Sequence, residues 1–231
     1  MSLTITHNQT KLSNFIIFEL FMKKREAIAI VLDDHHLFAD SFSALIERLE
    51  LFSTVHTINE ERELINFLLK NFKSPIYLFL DYYLKNTNAL PIINEARRLN
   101  KHITIIVISS VTSPTTITNI LSYNPNGFVS KSSGFNSILE CLAIISQGGQ
   151  YISPSISDII SNTDIINKIP FTARELEILH YFAQGLTIAH TAEQTNLSKH
   201  TIVAHRRKMM AKVNANSIVE LLSYARKQEL I

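Results

Sequence analysis

The chain has 231 residues, 46% of them hydrophobic, a single cysteine and a formal net charge of +2. That length has room for about two domains with real apolar cores. One cysteine excludes an intramolecular disulfide framework, and no apolar run approaches the ~20 residues of a membrane-spanning helix. A soluble protein of the reducing cytoplasm, with no membrane partner, is expected. The net charge hides an asymmetry: residues 27 to 150 carry 9 Lys+Arg against 11 Asp+Glu, whereas residues 171 to 231 carry 8 against 5. The acidic and basic halves have different electrostatic work to do.

In chain order, Phe15 to Phe21 is apolar but short, broken by Glu19 and followed by Met22-Lys23-Lys24-Arg25, where an export signal needs small residues for cleavage. Residues 1 to 26 read as an N-terminal extension, either disordered or upstream of the native start. From Ala27 apolar runs alternate with helical patterns. Strands are expected at Ala27 to Leu32, Thr54 to Ile58, Ile76 to Leu80, Ile103 to Ile108 and Gly127 to Ser130. Helices are expected at Leu37 to Leu49, Glu60 to Asn71, Leu90 to Leu99, Pro114 to Ser122 and Phe135 to Gln147. This alternation predicts an α/β flavodoxin-like domain over residues 27 to 150, a five-stranded parallel sheet with helices on both faces. Cys141, among Ile138, Leu139, Leu142 and Ile145, falls on an apolar helix face and reads as a core residue.

Functional groups of such a fold gather outside the carboxyl ends of the strands. Polar residues stand at those ends: Asp33 and Asp34 after the first strand, Asp81 after the third, Ser109 after the fourth and Lys131 after the fifth. Three carboxylates suit a hard divalent cation such as Mg²⁺. A carboxylate attacks a phosphoryl group when a metal and a cation neutralise the transferring oxygens. Each residue also has an ordinary explanation, Asp34 as a helix cap, Asp81 as a loop carboxylate and Lys131 as a solvated terminus. Their agreement in one frame is what argues for a site. His35 and His36 read as loop or capping residues.

The segments IVLDDHH, IYLFLD, VISS and GFVSK resemble the receiver domain of two-component response regulators. The resemblance implies Asp81 as phosphoacceptor, Asp33 and Asp34 as acidic pocket residues, and the Tyr83 main-chain carbonyl as a further Mg²⁺ ligand. It also implies Ser109 as switch hydroxyl, Phe128 as a switch aromatic that turns inward, Lys131 as phosphate partner, and a sensor histidine kinase as phosphoryl donor. The chain departs from the family after Asp81, where the usual Met-Pro and Gly are replaced by Tyr82-Tyr83-Leu84-Lys85-Asn86-Thr87-Asn88-Ala89.

Gly148 to Pro154 closes this domain, and residues 151 to 169 read as a linker with one short helix near Ser155 to Ser161. From residue 170 onward a small all-α domain is expected. Thr172 can cap a helix bearing Leu176, Leu179 and Phe182, Gly185 can end it, and Thr187 and Ser198 can cap the next two. The last of these carries Lys199, Arg206, Arg207, Lys208 and Lys212 with no acid between them. The pattern Thr172, Arg174, Glu175, Glu177, Ile178, Leu179, Gly185, Leu186, Ala192, Ser198, Thr201, Ile202, His205, Lys212 resembles the helix-turn-helix domain of LuxR-type (NarL/FixJ) transcription factors. Thr191 and Thr195 stand where that family has Ile and Leu.

The resemblance implies a recognition helix of about Lys199 to Val213 in the major groove of double-stranded DNA. Val203, Ala204 and Arg207 would face base edges, and Lys199, Thr201, Arg206 and Lys208 the phosphates. It also implies a homodimer through a last helix of about Ser217 to Gln228, with Val219, Leu221 and Leu222 as contacts, unless that apolar face completes the core. The whole reads as a response regulator transcription factor, not an enzyme. Two alternatives stay open: a phosphorylation-independent DNA-binding regulator with a scaffold receiver, and a metal-dependent phosphohydrolase using the same aspartyl chemistry.

Overall fold

The structure is a computed structural model that describes residues 26–85, 87–161, 170–228 and 230–231. The expectations for residues 1–25 and for 162–169 of the linker lie outside the described residues. The chain divides into two compact units, one made of the described residues up to Ser110 with Pro125–Ser157, the other of Val111–Asn124 with Asp158–Ile231.

The first unit alternates strands and helices: β1 (Ile28–Leu32), α1 (His36–Glu47), β2 (Thr54–Ile58), α2 (Glu61–Lys70), β3 (Ile76–Leu80), β4 (Tyr83–Leu84), β5 (Thr87–Asn88), α3 (Leu90–Leu99) and β6 (Ile103–Ser109). After α4 (Pro114–Ser122) come β7 (Gly127–Ser130), α5 (Phe135–Ser146), β8 (Tyr151–Ile152) and α6 (Pro154–Ser161). The main sheet is parallel throughout, in the order β2-β1-β3-β6-β7-β8. It has six strands where five were expected. The sixth is only two residues long, too short to show a period of two, and is held by Tyr151 N donating to Asn126 O at 3.1 Å and Ser153 N to Phe128 O at 2.9 Å.

Strand β3 is buried on both faces, as a central parallel strand must be, and its IYLFL run is accordingly apolar throughout. Phe79 meets Phe42 of α1 edge-on at 5.3 Å. Register places the site: Leu32 pairs with Leu80, Leu80 with Val107, and Ser109 with Ser130. The residues that follow these partners therefore emerge side by side at the carboxyl edge. Gly127 permits α5 to approach β7, since a Cβ there would lie 2.6 Å from Cys141 Sγ. Cys141 is fully buried, and desolvation pushes its thiol up to about 12.

The loop after Asp81, lacking Pro and Gly, is closed by a small antiparallel hairpin pairing Tyr83 with Asn88. Sequence reading did not anticipate it, because two-residue strands carry no periodic signal.

The second unit contains α4 and, in the C-terminal part, α7 (Ala173–Ala183), α8 (Ile188–Thr195), α9 (Lys199–Lys212) and α10 (Ile218–Lys227). Within it the buried Asn119 amide donates to the Leu230 carbonyl at 3.2 Å. The caps form as the sequence suggests. Thr172 and Glu175 make a reciprocal capping box, and Thr187 and Ser198 accept from His190 N and Thr201 N. Gly185 adopts φ +83°, the left-handed conformation that ends α7 without a Cβ penalty. No helix among the described residues is long and apolar enough to cross a membrane.

Candidate functional site

At the carboxyl edge of the sheet, β1 delivers Asp33 and Asp34, β3 delivers Asp81, β6 ends on Ser109 and β7 leads into Lys131. Lys131 Nζ lies 2.6 Å from Asp33 Oδ2 and 2.8 Å from Asp81 Oδ2, and 4.2 Å from the centre of the Phe38 ring. One ammonium thus neutralises two buried carboxylates while resting on an aromatic face. Lys131 is fixed from below by its own N–H, which donates to Ser109 O at 2.9 Å.

Asp81 is 3% exposed, and burial raises its pKa above the ordinary carboxylate value against the lowering effect of the Lys131 hydrogen bond and charge. Its Oδ1, together with Asp34 Oδ1 and the buried Ser109 Oγ, has no hydrogen-bond partner among the described residues. Buried oxygens left in this state are costly unless a ligand completes them. The donor set is hard and oxygen-rich, which suits Mg²⁺.

His35, which sequence reading left without chemistry, belongs to this cluster. Its N–H donates to Asp33 Oδ1 at 2.8 Å, and its Nδ1 lies 3.2 Å from Asp33 Oδ1, 3.2 Å from Asp34 Oδ1 and 3.9 Å from Asp81 Oδ2. The signal was the position itself, directly after two strand-end aspartates.

Phe128 is fully buried, paired in register between Val107 and Ile152. Of the two tyrosines after Asp81, Tyr82 is buried and Tyr83 exposed, their rings edge-on at 4.9 Å. Tyr83 opens the hairpin two residues beyond the phosphoacceptor candidate.

In the second unit α9 buries Ile202 and Met209 and exposes Lys199, Ala204, Arg207 and Lys208. Ala204, Arg207 and Lys208 follow at spacings of three and four and so share a face. Val203, Thr201 and Arg206 are half-buried, with Thr201 Oγ1 shared with Ser198 Oγ at 2.9 Å and Arg206 Nε buried without a partner among the described residues. Lys212 does not join the exposed basic face: its Nζ lies 2.5 Å from the buried Glu175. Burial works to raise the Glu175 pKa, but the bonds from Lys212 and Thr172 together hold it below the ordinary value.

The helix-turn-helix core is braced by Arg174, which bonds the Glu177 carboxylate and the Thr195 carbonyl. Thr195 and Thr191, where family members carry aliphatic residues, are both buried. Thr195 Oγ1 donates to Thr191 O at 2.7 Å, whereas Thr191 Oγ1 has no partner among the described residues. In α10 Leu221 is buried in the unit and is not available as a dimer contact, while Val219 is exposed.

A parallel doubly wound sheet with an acidic pocket and lysine at its carboxyl edge, followed by a capped helix-turn-helix, is the architecture of a receiver domain joined to a DNA-binding domain. Residues 29–143 match the response regulator receiver domain family, and residues 170–225 match the bacterial regulatory proteins of the luxR family. The chain belongs to the response regulators of NarL/FixJ type, with a receiver domain and a LuxR-type DNA-binding domain. It is similar to the Fimbriae Z protein of Salmonella typhimurium, 28% identical over 90% of this chain and 100% of that one. It is also similar to the nitrate/nitrite response regulator protein NarP of Escherichia coli, 25% identical over 82% of this chain and 90% of that one. Among solved structures, two RcsB dimers bound to two parallel DNAs share the fold with a TM-score of 0.56 at 23% identity, covering 86% of this chain and 97% of that one.

Proposed function

We propose that this response regulator is switched by phosphorylation of Asp81 and acts as a DNA-bound homodimer in the cytoplasm. In this reading residues 27–150 form the receiver, 151–169 the linker and 170–231 the DNA-binding domain. The observation that carries it is the convergence of Asp33, Asp81 and Lys131 within hydrogen-bond reach, with Asp81 Oδ1 unpartnered and buried.

Asp33, Asp34, Asp81 and the Tyr83 main-chain carbonyl would hold Mg²⁺, which supplies charge neutralisation for the transferring phosphoryl oxygens. An Asp81 oxygen attacks the phosphorus of a phosphohistidine on a sensor kinase. The P–N bond breaks, and its electron pair leaves with the kinase imidazole. Lys131 is placed to follow the phosphoryl oxygens, and the Ser109 hydroxyl to donate to one of them. The output is binding rather than turnover. Lys199, Thr201, Arg206 and Lys208 are assigned to phosphates, and Val203, Ala204 and Arg207 to base edges. The RcsB dimers on DNA support a dimeric assembly, and family resemblance makes the last helix its candidate surface, with Val219 and Leu222 as the candidate contacts.

Incubation with acetyl phosphate and Mg²⁺ is expected to give one phosphoryl adduct, absent in Asp81→Asn, and to raise the affinity of the full chain for an inverted-repeat site. Unchanged labelling of Asp81→Asn overturns the assignment. The loop after Asp81, which lacks the usual Met-Pro and Gly, favours a second reading, in which the receiver is a scaffold and DNA binding is independent of phosphate. An affinity that labelling leaves unaltered would select it.

A further inference from the structure

Resting on the reading that Asp81 accepts the phosphoryl group, we propose that Phe38 is a positioning residue for the transfer, its ring face being the seat on which Lys131 moves from Asp81 to the phosphoryl oxygens. The Lys131 ammonium lies 4.2 Å from the centre of the Phe38 ring, on a side chain 14% exposed. An ammonium so placed is attracted by the negative face of the ring, and more strongly where water is excluded. Nζ carries three N–H donors, yet among the described residues its hydrogen-bond acceptors are Asp33 Oδ2 and Asp81 Oδ2 alone. The ring face is its third partner.

That ring is held in place from the strand that carries the phosphoacceptor. Phe38 stands in the first turn of α1 and stacks on Phe42 one turn later, with centroids 5.7 Å apart and planes 6° from parallel. Phe42 meets Phe79 edge-on at 5.3 Å, and Phe79 meets Phe52 edge-on at 6.2 Å. Phe79 lies in β3, just before Leu80 and Asp81. This row of aromatic rings fixes the Phe38 face relative to the Asp81 carboxylate.

The role follows from what changes during transfer. With acetyl phosphate as donor, an Asp81 oxygen bonds to phosphorus, the P–O bond to the acetyl group breaks, and acetate leaves with the electron pair. The negative charge of Asp81 moves out to the phosphoryl oxygens, so Lys131 must give up Asp81 Oδ2 to follow it. Asp33 and the Phe38 ring are the partners that stay the same. Cation–π attraction is effective within about 6 Å of the ring centroid, so the ammonium can shift without losing it. A directional hydrogen bond in that place would hold it back. Keeping the ammonium near the path of the transferring oxygens limits the positions it samples, which accelerates the step. An aliphatic side chain would fill the same space without attracting the charge.

The test measures initial rates of Asp81 labelling by acetyl phosphate and Mg²⁺ in the full chain. Phe38 is replaced by mono-, di- and trifluorinated phenylalanine, which weaken the negative ring face at nearly constant shape while making the ring more apolar. The rate is expected to fall stepwise with fluorine content, and in Phe38→Leu to about one fifth of the wild-type value. Phe38→Tyr, which keeps the ring face, retains the wild-type rate within about twofold. The same fluorinated series at Phe42, which stacks on Phe38, leaves the rate unchanged. A packing role for Phe38 gives a flat or rising series, and that result overturns the inference, as does an equal fall at Phe42. A flat series on a chain that is labelled leaves Asp81 standing as phosphoacceptor, whereas a wild type that takes no label overturns both readings.

Discussion

Lys212→Met isolates the contribution of the pair that ties α9 to α7. Glu175 is 1% exposed, and Lys212, whose side chain is 26% exposed, approaches it to 2.5 Å; Met retains most of the aliphatic stem and removes only the charge. Removing one partner of a buried pair costs about 3 to 5 kcal/mol. Here the cost is reduced, because Lys212 is partly solvated and because Thr172 N and Oγ1 still donate to Glu175 at 2.8 and 3.2 Å. A loss of about 2 to 3 kcal/mol is expected, lowering the transition of the second unit by on the order of 10 °C.

The effect has a pH signature. In the wild type the Glu175 pKa is lowered in the fold, so its contribution is present above its unfolded pKa and fades as pH falls through the folded one. Without Lys212 the larger of the opposing effects, burial, acts with less opposition and the folded pKa rises. The variant's deficit is then full near neutral pH and shrinks in acid, where Glu175 is protonated. Differential scanning calorimetry of the full chain at about pH 7.5 and about pH 4.5 reads both ends. Lys208→Met is the control, since Lys208 stands 4.0 Å away on a side chain 66% exposed and should cost less than about 0.5 kcal/mol. Equal losses in the two variants, or a Lys212→Met deficit independent of pH, would refute the buried-pair argument.

Thr191→Val removes a fully buried hydroxyl that has no partner among the described residues, at nearly constant shape, and should stabilise the second unit by about 1 to 2 kcal/mol in denaturant titration. No gain would mean the hydroxyl is satisfied in solution. On DNA, Arg207→Ala should flatten preference at one base position per half-site, a discrimination of about 1 to 3 kcal/mol, whereas Lys208→Ala should weaken all sequences alike and reduce the salt slope by about one. A randomised-site selection with both variants checks this, and the reverse pattern would mean that α9 is rotated in the groove so that Lys208 rather than Arg207 meets the base edges. Cys141, buried and pushed up to about 12, should resist thiol reagents in the native protein and react only as the first unit unfolds. Rapid native labelling would contradict the packing of α5 against β7. Because this pKa is raised, the thiol disfavours unfolding only below the unfolded pKa. Above that value ionisation in the unfolded chain lowers stability.

The amino-acid sequence by itself determined the elements with strong periodicity and chemically marked ends. The apolar run of β3 and the amphipathic helices around it needed only local pattern, and Thr172, Thr187 and Ser198 needed only their capping chemistry. The pocket residues were legible for the same reason, since the end of a strand is where a parallel sheet presents side chains to ligands. Tertiary structure decided what depends on two distant segments meeting. That His35 comes within 3.9 Å of Asp81 follows from the register of β1 against β3, and that Lys212 pairs with Glu175 follows from the packing of α9 on α7. The hairpin after Asp81 and the edge strand at Tyr151 were invisible because two residues carry no period. Local propensity reports what a segment prefers, but the burial and electrostatic partners of a side chain exist only once the chain has closed on itself.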